Sequence, residues 1–141
     1  MRITIMGASG HGRVVADIAR LSGYDEVAFL DDDPALRECA GWPVVGDTKM
    51  PVEGDVFVAV GDASARRRLC DGLEPVTLVH PSAVVADGVS LGAGTVVMAG
   101  AVLRNNISIC GNCIVGVGAV VICDIRKAGT YVDIPAKYLT H

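Results

Sequence analysis

Residues 79–126 read, in blocks of six, VHPSAV, VADGVS, LGAGTV, VMAGAV, LRNNIS, ICGNCI, VGVGAV and VICDIR. The first position of every block is aliphatic, and the fifth is small or aliphatic throughout. A fixed short period is typical of a solenoid, and a period of six predicts a parallel β-helix with three blocks to each coil. We expect the first position to point into a triangular prism and the fifth to lie near a corner. Gly or Asn between them should form the turn.

Two of the five cysteines, Cys110 and Cys113, form a single C-x-x-C pair within one block. The register of the repeats predicts that Cys113 faces inward and that Cys110 faces outward. A zinc site of this kind needs a second pair or nearby histidines, so we predict no metal. An odd number of cysteines without a secretion signal indicates reduced thiols and a cytoplasmic protein.

The residues before the repeats alternate between short apolar strands and helices. We predict strands at 2–6, 26–30, 55–60 and 76–79. Strand–helix–strand units predict a parallel sheet, so the expected α/β domain is small and Rossmann-like. The predicted divisions are 1–78 for this domain, 79–126 for the β-helix and 127–141 for a C-terminal tail.

Two helices are expected in the first domain. One should follow a turn at 7–12, and the other should span 63–70. The apolar residues of the first helix recur at helical spacing and are expected on one buried face: Val14, Val15, Ile18, Ala19 and Leu21.

Composition excludes several classes of function. Hydrophobic residues make up 51% of the 141 residues and charged residues 20%, which is enough apolar side chain for a packed core. The formal net charge is −4, which argues against nucleic acid and anionic membranes as partners. No apolar run reaches the roughly 20 residues of a membrane span, so membrane insertion is not expected.

The sequence GASGHG at 7–12 follows a strand and opens a helix. In this setting backbone N–H groups and the helix N-terminus can hold a phosphate, and Asp31 after the next strand can accept a ribose hydroxyl. The spacing G-x-x-G-x-G differs from the dinucleotide fingerprint, which favours a single nucleotide or nucleotide-sugar over NAD(P). The alternative is a plain tight turn. His11 is interpreted either as a ligand contact or as a polar residue at a helix start.

These features together resemble the NeuD/PglD-type sugar O- and N-acyltransferases. The resemblance rests on GASGHG, the acidic run at 31–33, Gly61-Asp62, LVHPSA at 78–83, the hexads and IPAK at 134–137. It implies a left-handed β-helix, a homotrimer, and transfer of an acetyl or other acyl group from acetyl-CoA, without a metal. The acceptor would be an amine or hydroxyl of a nucleotide-linked amino sugar, commonly UDP-linked, or of a sialic acid.

The resemblance also implies which residues form the sites. The sugar-nucleotide site would comprise Gly7, Ser9, Gly10, His11, Gly12, Asp31, Asp32, Gly61 and Asp62. The CoA would lie near Pro135, Ala136 and Lys137.

The family's general-base histidine has no counterpart between His80 and His141. A gapless alignment places Cys123 and Asp124 in the slot of the family's histidine–acid pair, whereas another alignment leaves that coil out. His80 begins the repeats and is interpreted as structural, although it is the only candidate histidine within them. The competing hypothesis is an inactive nucleotide-sugar-binding or assembly protein on the same scaffold.

Overall fold

The computed structural model describes residues 1–139, which form two compact units. The first unit is Met1–Val76, and the second begins at Thr77. Among the described residues, no helix is both long enough and apolar enough to cross a membrane.

The first unit contains a five-stranded sheet and two helices. Its elements are β1 (Arg2–Met6), α1 (Gly10–Leu21), β2 (Glu26–Leu30), β3 (Glu38–Cys39), β4 (Trp42–Gly46), β5 (Asp55–Val58) and α2 (Ala63–Leu69). The strand order is β3-β4-β2-β1-β5. All neighbours are parallel except β3 and β4, which are antiparallel.

The parallel strands β1, β2 and β5 agree with the prediction, whereas the β3–β4 hairpin is not predicted. The strand predicted at 76–79 does not join this sheet, because only Leu78–Val79 is a strand and it pairs with Val96–Val97 of the second unit. The two-residue turn of the hairpin contains Ala40, with φ 53°, where Asn or Asp usually precedes the glycine. Pro43 also disfavours a strand in the residues that follow. Both ordinary signals of a hairpin are therefore absent from the sequence.

Both faces of this sheet are covered. Helix α1 packs on β1 and β2 through Val15, Ile18 and Ala19, which are buried. The opposite face carries a second apolar cluster. Its strand residues are Met6, Leu30, Val56 and Val58. Leu69 at the end of α2, and Cys70 and Leu73 just after it, pack against them.

Two details of helix α1 differ from the prediction. Val14 and Leu21 do not share its buried face, since both are exposed and Ala16 is buried instead. The apolar stripe is therefore narrower than the hydrophobic pattern suggests. Helix α1 also begins at Gly10, so the second half of the predicted turn is helical.

The second unit consists of very short strands. They are β6 (Leu78–Val79), β7 (Val84–Val85), β8 (Ser90–Leu91), β9 (Val96–Val97), β10 (Val102–Leu103), β11 (Ser108–Ile109), β12 (Ile114–Val115), β13 (Val120–Val121), β14 (Thr130–Val132) and β15 (Lys137–Tyr138). The described strands stack in three sheets, ordered β13-β10-β7, β11-β8 and β15-β14-β12-β9-β6. Val84 pairs with Val102, which pairs with Val120. Parallel partners thus recur every three blocks, as predicted.

The interior of the β-helix holds the two positions that the repeat pattern selects. First-position residues from Val97 to Val121 and fifth-position residues from Ala101 to Ile125 form one buried cluster. Val85 is an exception, since this first-position residue of an early block is exposed. The fourth position makes the corners: Gly88, Gly94, Gly100, Asn106, Asn112 and Gly118 all have φ between 59° and 78°. Gly and Asn adopt this left-handed conformation at low cost, so the predicted turn positions are confirmed.

Cys110 is partly exposed, but the prediction that it lies apart from Cys113 is wrong. Cys110 does not point away from Cys113, because their Sγ atoms lie 3.5 Å apart and Cys110 packs against the interior cluster. The chain turns a corner between them at Asn112, where φ is 60°. The alternation of a straight strand therefore does not continue from one cysteine to the other. Cys113 is buried, as predicted.

The segment after the hexads completes one of the three sheets. Strand β14 pairs in parallel with β12, and β15 folds back antiparallel on β14. Between them the Ala136 N–H donates to the Val120 carbonyl oxygen at 2.7 Å. The tail residues up to 139 are therefore bound to the β-helix along their length.

Candidate functional site

The glycine-rich turn joins the carboxyl end of β1 to the first turn of α1. Gly7 has φ 103°, and its N–H donates to the Leu30 carbonyl oxygen at 2.8 Å. A Cβ atom at Gly7 would lie 2.7 Å from the Ala59 carbonyl oxygen, which follows the neighbouring strand β5. The backbone conformation and the close approach both require glycine here.

Gly12 allows the start of α1 to fold back on the turn. A Cβ atom at this position would overlap the Gly7 carbonyl oxygen and would lie 3.2 Å from Cε1 of Phe29. The helix therefore packs against the turn and β2 more closely than any side chain would permit. Gly12 is therefore needed for packing. A tight turn without a ligand would require the same glycine.

Ser9 and Gly10 differ from these two glycines because they face open space. Ser9 occupies the N-cap of α1 and is exposed, but its side chain caps no N–H group of the described residues. The first turn of α1 carries no acidic residue in the sequence. A Cβ atom at Gly10 would meet no heavy atom of residues 1–139 within 4 Å. The helix N-terminus thus presents backbone donors with positive dipole character to a space that a ligand can enter.

The loop after β5 offers similar space beside this turn. Strands β1 and β5 are paired, so their carboxyl ends lie next to each other. Gly61 is exposed, and a Cβ atom added to it would also have no neighbour within 4 Å in the described part of the chain. Asp62 is the N-cap of α2 and accepts from the Ala65 N–H at 3.0 Å. Gly61 can therefore admit a ligand, and one oxygen of the Asp62 carboxylate caps α2.

Asp31 holds the glycine-rich turn in place. One of its carboxylate oxygens accepts from the Ala8 N–H at 2.8 Å, and the other accepts from the Asp33 N–H at 2.9 Å. The bond to Ala8 ties the end of β2 to the turn after β1. Each oxygen keeps a second lone pair, so Asp31 can still accept a ligand hydroxyl.

Asp32 serves the neighbouring loop instead. Its carboxylate accepts from the Thr48 N–H and hydroxyl, at 2.9 and 2.8 Å for the same oxygen. The backbone hydrogen bond from Thr48 lowers the pKa of Asp32, with the Thr48 hydroxyl as the next contribution. A cavity of about 460 Å³ lies beside these residues, lined by the acidic run and by Leu36, Arg37 and Val44 among others. Its size is in the range of small-molecule sites.

His11 lies in the first turn of α1 and is partly buried. Burial, and then the positive charge of Arg66, lower the pKa of His11 below 6.5. Its Nε2 atom is buried and has no hydrogen-bond partner among the described residues. Because this nitrogen is buried, a ligand could reach it only if neighbouring side chains moved, so both interpretations of His11 stay open.

Arg66 is the residue that sequence reasoning misses. It is only 1% exposed, and its Nη1 donates to the carbonyl oxygens of Val60 and Gly61 at 2.9 and 3.1 Å. The buried guanidinium places one positive charge beside this loop, which an anionic ligand group could approach. The sequence shows three consecutive arginines in α2, and only the helix register separates the buried Arg66 from the exposed Arg67 and Arg68.

The other candidate residues lie in the second unit. Cys123 is exposed. The Asp124 carboxylate accepts from the Ser108 N–H at 2.8 Å, and its other oxygen lies 3.6 Å from Nη2 of Arg126. Asp124 therefore fastens its corner to the preceding coil.

The tail residues named by the resemblance lie at the start of β15. Lys137 is exposed, and Pro135 precedes Ala136, whose N–H is bound to the Val120 carbonyl oxygen. The backbone of this segment is therefore fixed, while the Lys137 side chain is accessible to a ligand.

His80 is held by its neighbour Ser82. Its Nδ1 accepts from the Ser82 N–H at 3.0 Å and lies 2.8 Å from the Ser82 hydroxyl oxygen. That oxygen accepts from the Gly100 N–H one coil further along. In the neutral form with Nδ1 as acceptor, the ring proton is on Nε2, which then cannot act as a base. This arrangement agrees with the structural interpretation of His80, and His141 lies outside the described residues.

Comparison with known proteins agrees with this geometry. The family described as the PglD N-terminal domain matches residues 2–73, which include the turn, Asp31, Gly61 and Arg66. The chain belongs to the NeuD/PglD-type family. The resemblance seen in the sequence is therefore confirmed, and the matched residues contain every polar group of the site in the first unit.

Three relatives illustrate the family. UDP-N-acetylbacillosamine N-acetyltransferase of Bacillus subtilis (strain 168) is 31% identical over 110 residues, covering 69% of this chain and 51% of the relative. The acetyltransferase domain of PglB from Neisseria gonorrhoeae FA1090, solved with acetyl coenzyme A, is 28% identical with a TM-score of 0.65, covering 98% of both chains. A variant of perosamine N-acetyltransferase from Caulobacter crescentus, solved with CoA and GDP-perosamine, is 26% identical with a TM-score of 0.66. The alignment covers 100% of this chain and 98% of that one.

The chain spans about half the length of the curated relatives it matches. The likeness to the two solved acetyltransferases extends over both units of this chain. The family and the general architecture therefore agree with what the sequence predicts.

Proposed function

We propose that this chain acts in sugar N-acetylation, with a nucleotide-linked amino sugar as acceptor and acetyl-CoA as donor. In this reaction the sugar amine attacks the thioester carbonyl, a C–N bond forms, and the C–S bond breaks to release CoA. The proton lost from nitrogen passes to a base or to the leaving thiolate. The names of the relatives favour the amine over the hydroxyl as acceptor, and this chemistry requires no metal.

The observation that carries this proposal is the open N-terminus of α1 beside a buried cation. Uncapped backbone donors at Ser9 and Gly10 suit the diphosphate of a nucleotide-sugar. Arg66 places a buried positive charge beside the adjoining loop. His11 lies in the first turn of the same helix. The cavity beside the acidic run provides room for the nucleoside. We therefore assign the first unit, a Rossmann-like domain, to the acceptor.

The second unit is proposed to be a left-handed β-helix that assembles as a homotrimer and binds acetyl-CoA between subunits. One of its sheets presents an apolar outer face, since Val84 and Val102 are stacked by the strand register and are 55% and 39% exposed. The equivalent positions on another sheet are the polar residues Ser90 and Ser108. A stacked apolar face of this kind favours burial against another subunit.

The donor site and the location of the protein remain predictions from the resemblance. Pro135, Ala136 and Lys137 are the proposed neighbours of CoA. The exposed Lys137 ammonium is suited to a phosphate group of this anionic donor. A cytoplasmic location is proposed because acetyl-CoA and nucleotide-sugars would have to meet there.

Transfer to the amine requires a group that accepts its proton. Cys123 and Asp124 are proposed to occupy the family's histidine–acid slot. A cysteine titrates well above an imidazole, so it is a poor base near neutral pH unless its thiolate is stabilised. The alternative function, binding of the nucleotide-sugar without transfer, is favoured by the sequence between His80 and His141, which contains no histidine.

Calorimetric titration with UDP- and GDP-linked amino sugars tests the acceptor site. The Gly10→Trp variant should lose binding, because its side chain fills the space at the N-terminus of α1 while the fold has room for it. Leu21→Trp, at the exposed opposite end of the same helix, should bind as the wild-type chain does. Equal binding by Gly10→Trp and the wild type would refute the acceptor site.

Acetyl transfer is tested separately with acetyl-CoA and the sugar that binds. If Cys123 occupies the histidine slot, Cys123→His should raise the rate of CoA release, because imidazole is an efficient base near neutral pH. An unchanged rate in this variant would remove Cys123 from the site. Sugar binding without any CoA release in either protein would establish the alternative function.

A further inference from the structure

One corner of the β-helix brings two thiols together. The Sγ atoms of Cys110 and Cys113 lie 3.5 Å apart, whereas a disulfide bond is about 2.05 Å long. The two Sγ atoms would have to approach each other by about 1.5 Å to form the bond. The proposed acyl transfer uses neither of these side chains.

The backbone at this corner is fixed by a buried threonine. The Thr95 hydroxyl donates to the Cys110 carbonyl oxygen at 3.1 Å and accepts from the Cys113 N–H at 3.3 Å. A single oxygen atom of the preceding coil thus holds both cysteine residues. Thr95 is fully buried, so water does not compete for these bonds. The two thiols are therefore kept close together by the fold itself.

A second set of contacts fixes the turn between them. The Asn112 N–H donates to the Ala93 carbonyl oxygen at 3.0 Å. The backbone of Gly111 packs directly against Gly92, whose Cβ position would overlap the Gly111 nitrogen. The corner therefore cannot separate the cysteines without leaving the coil beneath it.

The two cysteines differ in their access to solvent. Cys110 is partly exposed, whereas Cys113 is buried. Cys110 is therefore the more accessible of the two residues to a reagent in solution, and Cys113 is the thiol nearest to it. Thiols that respond to oxidants often pair an accessible cysteine with a neighbouring resolving cysteine in this way.

We propose that Cys110 and Cys113 form a dithiol site that reacts with low-molecular-weight disulfides and closes reversibly to an internal disulfide. The Cys110 thiolate attacks one sulfur of oxidised glutathione, forming a mixed disulfide and releasing one glutathione thiolate. The Cys113 thiolate then attacks Cys110 Sγ and releases the second glutathione. The two cysteines lose two electrons and two protons, and the external disulfide gains them as two thiols.

Peptide mass spectrometry tests this reaction on the folded chain. Trypsin cleavage after Arg104 and Arg126 gives the peptide 105–126, which contains Cys110, Cys113 and Cys123. A Cys123→Ser background leaves only the proposed pair in this peptide. The protein is treated with oxidised glutathione, acidified, unfolded and alkylated before digestion. The expected peptide has lost two hydrogens and takes up no alkylating reagent, and dithiothreitol restores both alkylation sites.

Single replacements in the same background assign the two roles. The Cys113→Ser variant should accumulate the glutathione adduct on Cys110, because nothing resolves it. The Cys110→Ser variant should leave Cys113 unmodified until the protein is unfolded. The exposed Cys123 of the wild-type chain, treated in parallel, serves as the reference for ordinary glutathionylation.

Two results would overturn the proposal. One is a stable glutathione adduct on Cys110 while Cys113 remains alkylatable in the same peptide. The other is full alkylation of both cysteines after a treatment that modifies Cys123 of the wild-type chain. Circular dichroism of each protein before and after oxidation shows whether the reaction took place in the folded state.

Discussion

His11 and Arg66 illustrate how single residues set the character of the site. The burial of the imidazole and the Arg66 charge both oppose protonation and lower the pKa of His11. His11 is therefore neutral at physiological pH, and its Nε2 can serve as a donor or an acceptor according to the tautomer. The positive charge of the site is left to the guanidinium, which does not titrate in this range.

The lowered pKa of His11 predicts a loss of stability in acid. The unfolded chain takes up a proton at this residue near pH 6.5, whereas the folded chain resists it until the pH is lower. The unfolded state therefore binds more protons in this window, and the free energy of unfolding falls as the pH decreases below 6.5. His11→Gln should reduce this slope in urea denaturation measured at several pH values.

The two denaturation series contain their own control. Above about pH 7.5 a histidine is neutral in both states, so the difference between wild type and variant there reports only the change in packing. The free energy of unfolding of the wild type minus that of the variant should be constant above this pH and should fall in acid. Parallel curves throughout would contradict the pKa assigned to His11.

The glycines of the β1–turn–α1 unit have two different purposes. Some allow the turn to form, and others leave space for a ligand. Gly7 and Gly12 are enclosed by the Ala59 and Gly7 carbonyl groups, whereas Gly10 faces open space. The motif GASGHG does not distinguish them, because all three are the same residue type. Only the observed contacts show which glycine belongs to folding and which to ligand access.

Replacing these glycines by alanine should separate the two purposes. Gly12→Ala forces a Cβ atom onto the Gly7 carbonyl oxygen and should lower the free energy of unfolding by about 2–3 kcal/mol. Gly10→Ala is the matched control, since its Cβ meets nothing within 4 Å among the described residues, and it should cost nothing measurable. Thermal denaturation followed by circular dichroism measures both. Equal stability of the two variants would show that the turn relaxes at no cost.

The elements of the β-helix are largely predictable from the sequence, and those of the first unit less so. The period of six specifies which side chains point inward, because each coil repeats the same register. The β3–β4 hairpin has no such repetition, and Pro43 argues against a strand at a position where one forms. Arg66 escapes prediction because burial of a charged residue depends on tertiary contacts, here with the carbonyl groups of the loop after β5. The position of Cys110 relative to Cys113 is predicted wrongly because the alternation of side chains along a strand does not continue through the corner at Asn112.

The exposed valine face of the β7–β10–β13 sheet predicts that the subunits assemble. Val102→Lys places a charge in the middle of this face and should convert the proposed trimer to a monomer. The side chain already points outward, so the folded subunit should remain intact. Sedimentation velocity measures the change in mass.

Ser90→Lys supplies the control for the assembly prediction. Ser90 lies at the equivalent outward position of β8, on a sheet whose outer residues are polar. This variant should sediment as the wild type does. A wild-type chain that sediments as a monomer at all concentrations would contradict the trimer.

The constant register of the coils has a consequence for how such a chain can change its length. Every coil meets its neighbours through the same pairs of positions, as Val84, Val102 and Val120 do. Gain or loss of one complete coil preserves every pairing and every corner, so it costs the remaining coils little. A single residue inserted into a strand instead turns the following side chains of that strand to the opposite face. We therefore expect insertions and deletions in the β-helix to comprise complete coils. The number of coils can then vary while the cross-section of the prism stays the same.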